Sequence, residues 1–238
     1  MESTKLTAVL SHHRHDFEPV TPFDLQSKKL CYLDLSAANP DLGIEQISDN
    51  ALFSETIKAF TESAGADIAI GRYDEDRSIY TKSEHFTPPG QEPRTLHLGV
   101  DLWMTAGTSI HAPLAARVHS FNHNDNYGDY GPTIILAHEL EGILFYTLYG
   151  HLSLASLKDI FEGQHIAKGQ AFCTLGSPDE NGQWPAHLHF QLISNMMGKK
   201  GDFPGVAKCS EREKFLKICP DPGLILGIST TGPPGISN

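Results

Sequence analysis

Long apolar runs are missing from this chain. No stretch of about 18 apolar residues occurs, so no segment reads as a membrane-spanning helix. Basic residues are scarce as well. Only 18 Lys and Arg stand against 29 Asp and Glu, a formal charge of −11 over 238 residues. Such a field repels phosphate backbones and anionic lipid, so neither nucleic acid nor membrane is an expected partner. Cysteine is sparse, at four (Cys31, Cys173, Cys209 and Cys219), and no two form a C-x-x-C pair. They read as reduced thiols of a reducing compartment. The opening MESTKLTAVLSHHRHDFEPV lacks the basic start and sustained apolar core of a secretory signal, so the expected location is the cytoplasm. A hydrophobic share of 39% still suffices for a core, and a charged share of 20% is too low for disorder.

Histidine, by contrast, is plentiful at 13 residues. It is the commonest metal ligand and the usual acid–base catalyst near neutral pH. Along the chain, residues 1–30 read as polar and irregular, followed by a strand at 29–35. A helix is expected over 49–64, with Phe53, Ile57, Phe60 and Ala64 on one face. Asp49 or Ser48 caps its start and Gly65 ends it. A proline-rich loop at 81–93 leads into short alternating strands at 96–102, 116–121, 133–138, 145–150, 171–176 and 187–193. A short helix is expected at 153–161, and Asn122, Asn124, Asn126 and Gly128 read as a hairpin loop. This pattern predicts a mainly β protein: an antiparallel barrel- or sandwich-like domain at 95–200 with an N-terminal α/β extension at 1–94. A Pro- and Gly-rich extension at 201–238 completes it, with a mobile end. The N-terminal extension is expected to pack on that β domain, either narrowing one end of a cleft or covering a sheet face or edge away from it.

Three segments carry chemistry: HLGVD at 97–101, YGH at 149–151 and HLH at 187–189. In a strand, residues two and four apart point the same way. His97 and Asp101 then share one face, with Leu98, Val100 and Leu102 on the other. His187, His189 and Gln191 share a face too, opposite Leu188, Phe190 and Leu192. Histidines and a carboxylate so placed on two strands can converge on one cation, a ligand set of zinc type.

The set HLGVD, YGHLS, the Gly-rich EGQHIAKGQAFCTLG and HLHFQ resembles the lysostaphin-like zinc metallopeptidases, over about residues 95–195. Those enzymes cleave peptides of bacterial cell walls. The resemblance implies that His97, Asp101 and His189 bind zinc. It implies that His151 and His187 act in catalysis. Flanking segments (LDLS at 33–36, IGRYDEDR at 70–77, FYTLYGHLS at 145–153 and CPDPGLILG at 219–227) resemble a variant of this module found in intracellular multidomain chains. There it lies between a phosphotransferase domain and an aminotransferase.

The expected activity is zinc-dependent endopeptidase hydrolysis, in which activated water attacks a peptide carbonyl with histidine acid–base help. The expected substrate is a peptide, free or derived from peptidoglycan. Tyr149 and Trp184 are candidate cleft residues. Glu139, Glu141 and Glu162 lie out of phase with the site. His12, His13 and His15 beside Asp16 read as a solvated terminal segment or a second metal site. Two alternatives stay open. One is a zinc-stabilised binding module without hydrolysis; the other is a histidine phosphocarrier on a related β fold, which leaves Asp101 without a role.

Overall fold

The computed structural model describes residues 2–36, 38–39, 49–82 and 86–232. In chain order its elements are α1 (Glu2–His12), β1 (Leu30–Leu33), α2 (Asn50–Ser63), β2 (Ile68–Gly71), β3 (Arg94–His97) and β4 (Val100–Trp103). There follow β5 (Ser109–His111), β6 (Ala116–Asn124), β7 (Gly131–Leu140), β8 (Ile143–Gly150), β9 (His165–Ile166) and β10 (Ala171–Thr174). The chain closes with β11 (His187–Ile193), β12 (Val206–Lys208), α3 (Arg212–Ile218) and α4 (Gly223–Leu226).

Eight strands form one sheet in the order β1-β2-β4-β11-β8-β7-β6-β9. Among the described residues only the β1–β2 pair is parallel. Strands β5 and β10, and β3 and β12, make two small separate ladders. The sheet is sandwich-like and does not close: β1 and β9 are its two edges, so the barrel expectation is corrected.

Alternation along the central strands sorts their side chains between two faces. Val100, Leu102, Phe145, Tyr149, Leu188, Phe190 and Leu192 join the largest core cluster. On the opposite face lie two smaller clusters. One gathers Leu33, Phe53, Ile57 and Trp103; the other gathers Leu98, Ile135, Leu148, Phe203 and Phe215. Asp101, His187 and His189 sit on this second face.

Several elements depart from the sequence reading. Residues 2–12 are helical, because Leu6, Val9 and Leu10 recur at helical spacing and bury in the molecule; Leu6 and Leu10 enter the largest cluster. Each such burial stabilises by about 1.5–3 kcal/mol. The expected strand at 96–102 is two strands, broken at Leu98 and Gly99. Asn122 and Asn124 belong to β6 rather than to its loop. The helix at 153–161 shrinks to a single 3₁₀ turn, Leu154–Leu157. Helix α2 is where the periodicity puts it, capped by the Asp49 carboxylate, which accepts from the N–H groups of Ala51 and Leu52. Phe53 and Ile57 are buried, but Phe60 is 42% exposed, because the inward stripe runs on to the half-buried Thr61 instead. Past residue 200 the chain is ordered into β12, α3 and α4. Ser48 and the end of the tail, 233–238, lie outside the described residues. Among the described residues no helix is long and apolar enough to cross a membrane.

Candidate metal centre

Register builds the site. Strand β11 lies between β4 and β8, with His189 opposite Asp101 on one side and opposite Gly150 on the other. These three positions form one row across the middle of the sheet. His187 lies opposite Trp103 and stacks on its indole, with centroids 4.3 Å apart. His97 arrives differently from the sequence expectation. It ends β3, outside the main sheet, and the break at 98–99 brings it over the same face.

The ligating atoms converge. Asp101 Oδ1 lies 3.2 Å from His189 Nδ1, 3.3 Å from His97 Nε2 and 3.8 Å from His187 Nε2. His97 Nε2 and His189 Nδ1 are 3.0 Å apart. Asp101, His97 and His189 thus offer three ligand atoms at one point, all buried.

Hydrogen bonds to groups that can only accept fix the ring protons. His97 Nδ1 donates to the Arg72 carbonyl at 2.8 Å. His189 Nε2 donates to Gln191 Oε1 at 3.0 Å, and the Gln191 amide is oriented by its own donation to the Pro204 carbonyl. Both remaining nitrogens therefore present lone pairs to each other and to a carboxylate oxygen. That arrangement is repulsive unless a cation lies among them, and it is the donor set zinc prefers.

His151 and His187 are brought side by side, with ring centroids 4.1 Å apart. His187 Nδ1 donates to the Pro185 carbonyl at 2.7 Å and His151 Nδ1 to the Asn181 carbonyl at 2.8 Å. Each keeps Nε2 unprotonated. Burial pushes His187 down to about 4 and His151 well below its ordinary 6.5, so both are neutral at pH 7. Burial and the Arg77 cation likewise bring His97 down to about 4. Burial alone would raise the Asp101 carboxyl, but His97 and Arg77 outweigh it and hold it well below the usual carboxylate range.

Gly150 acts through space rather than flexibility. A Cβ there would stand 2.7 Å from Tyr130 Cδ1. The left-handed turn falls on His151 itself, with φ of 61°, held by its N–H to the Tyr130 carbonyl at 2.8 Å.

A cavity of about 130 Å³ opens onto Asp101, His151, His187 and His189. Trp184 lines it, as the sequence suggests. Tyr149 does not: it pairs with Phe190, one residue out of phase with Gly150, and is fully buried in the largest core against Phe172 and Phe190. Tyr130 takes its place, with Tyr80 and Phe86 completing an aromatic wall. Tyr80, Phe86 and Arg94 come from the segment preceding residue 95. Tyr80 and Tyr130 escape a sequence reading, since no local pattern marks them; Arg77 ends the flanking IGRYDEDR segment, which marks it without giving it a role. Gln191 carries a signal: it is two residues past His189, on the same face.

Residues 95–200 match the profile of Peptidase family M23. Over that stretch the chain is similar to the metallopeptidase domains of this family. The pairing of H-x-x-x-D on β3–β4 with H-x-H on β11 is thus held within the matched M23 stretch. No curated protein matches the chain. Among solved structures it is similar to the catalytic domain of the antimicrobial peptidase lysostaphin from Staphylococcus simulans, at 24% identity over 51% of this chain and 80% of that one, with a TM-score of 0.36. It is similar to a zinc containing peptidase from Vibrio cholerae, at 22% identity over 41% of this chain and 27% of that one, with a TM-score of 0.33. A putative M23 peptidase from Pseudomonas aeruginosa shows 21% identity over 55% of this chain and 43% of that one, with a TM-score of 0.36. The match spans about a quarter of the length of the Vibrio cholerae protein.

A second cluster lies apart from the candidate metal centre. His13 bridges Asp16 at 2.7 Å and Glu141 at 2.8 Å, tying the end of α1 to the β7–β8 turn, with His12 beside it. It is a surface feature.

Proposed function

We propose that this chain is a zinc-dependent endopeptidase, with His97, Asp101 and His189 as the metal ligands and His151 and His187 as the acid–base pair. One observation carries the reading. The protons of His97 and His189 are committed to Arg72 and Gln191, so two lone pairs and Asp101 Oδ1 face one point within 3.3 Å. A zinc ion held there supplies a Lewis acid that polarises a peptide carbonyl and acidifies water.

The rest falls to side chains. His187 Nε2, 3.8 Å from Asp101 Oδ1, is close enough to the ligands to take a proton from the attacking water. His151, neutral and unprotonated at Nε2, faces the cavity and can steady charge on the carbonyl oxygen or pass a proton to the leaving amine. Trp184, Tyr130 and Tyr80 line the cavity that would receive a peptide. The small cavity, walled in part by the N-terminal segment, favours short peptides, free or released from peptidoglycan. Four free cysteines fit a reducing, cytoplasmic setting.

The test is a peptidase assay of the zinc-loaded protein against a general peptide library and peptidoglycan fragments. Cleavage that H187A abolishes supports the reading. Zinc binding with no cleavage of any peptide overturns hydrolysis and leaves a binding module.

A further inference from the structure

Arg77 lies outside the stretch that matches the M23 profile, yet its guanidinium is completely buried beside Asp101. Nη1 donates to Asp101 Oδ2 at 2.6 Å and to the Tyr80 hydroxyl at 3.2 Å. Nε donates to Glu75 Oε2 at 2.9 Å, and Nη2 to the Arg72 carbonyl at 3.0 Å. That carbonyl is the same one that accepts from His97 Nδ1. The turn carrying these groups is itself locked to β3. Asp74 N–H donates to the His97 carbonyl, His97 N–H to the Glu75 carbonyl and Arg77 N–H to the Thr95 carbonyl, each at 2.9 Å. Gly71 leaves the space, because a Cβ there would stand 2.9 Å from both Arg77 Nη2 and Asp101 Oδ2.

The two oxygens of Asp101 are therefore divided. Oδ2 belongs to Arg77, and Oδ1 faces His97, His187 and His189. The carboxylate cannot turn both oxygens toward the histidines without breaking a short charged bond in a buried site. We propose that Arg77 is a positioning residue of the metal centre, holding Asp101 so that a single oxygen reaches the cation. A planar fork can serve Asp101, Glu75, Tyr80 and Arg72 together, and a lysine cannot. The segment before residue 95 is then part of the centre rather than a cover for it. The inference rests on the metal-site reading above.

The full chain is tested as R77M combined with E75Q, which avoids leaving Glu75 as a lone buried charge. Zinc affinity is measured by chelator competition, and the visible spectrum of the cobalt-substituted protein reports ligand number. The expected result is about 10–100-fold weaker zinc binding, with a weaker cobalt band as Asp101 turns to bind through both oxygens. R77K should stay folded and fall between the two proteins. Folded double variant with wild-type zinc affinity and an unchanged cobalt spectrum overturns the proposal. If the double variant does not fold, nitrogen-15 spectra of the wild type decide. Arg77 side-chain N–H signals should stay protected from exchange after zinc loading; their loss on loading overturns it. No zinc binding by the wild type is a different failure, that of the metal reading itself.

Discussion

His97 Nε2 and His189 Nδ1 face each other at 3.0 Å with neither proton left to share. Two lone pairs do not rest in that position by attraction to each other. The full chain should accordingly hold one zinc, measurable by metal analysis of the purified protein. H189A should lose it. Equal zinc in both proteins, or none in the wild type, would refute the assignment.

His151 and His187 should separate from the ligands by experiment. H151A and H187A are expected to keep zinc while turnover falls about 10²–10⁴-fold. Loss of metal in H187A would move that residue from catalyst to ligand.

His138 gives a pH signature away from the metal. It is buried, with Nε2 2.7 Å from Thr147 Oγ1, and burial brings it down to about 4. The unfolded chain, near 6.5, binds this proton more readily. Stability should therefore fall as pH drops from 6.5 toward 4, and recover above 6.5. In urea unfolding of the metal-free protein, the difference in stability between pH 7.5 and pH 5 should be about 2 kcal/mol smaller in H138N. An identical pH dependence in the two proteins would contradict the shift.

The N-terminal segment should not come away. Strand β2 pairs with β4, the strand of Asp101, and Leu10 is fully buried in the largest core. Limited proteolysis should release no stable fragment beginning near residue 90. L10A should cost about 2–5 kcal/mol. A folded, fully active fragment of residues 95–238 would remove any role of the extension in packing or access.

What could be seen in advance was local in the chain. Strand β11 was legible to the residue, because His187, His189 and Gln191 alternate strictly with Leu188, Phe190 and Leu192. Helix α2 announced itself by its cap and by Phe53 and Ile57. The misses share a different cause. Arg77 reaches Asp101 across 24 residues, from the IGRYDEDR segment, whose sequence marks it without saying what it touches. Tyr149 falls in the core rather than the cleft because its face depends on register with Phe190, which alternation within one strand does not set. His97 and Asp101 converge for a reason other than the one inferred: the strand breaks between them, and β12 rather than β4 holds His97 in place. Residues 2–12 read as polar and irregular, whereas their short apolar run is the buried stripe of a helix.

His97 and His189 stand 92 residues apart along the chain. Sharing one ion between them closes a loop of that length, as a cystine would, in a protein whose four cysteines are all free. By the chain-entropy account, a closure of about that size is worth about 4–5 kcal/mol. The centre would then double as the staple of the molecule: metal starvation would loosen the whole chain as well as silence it, and a half-unfolded copy would be one that cannot cut.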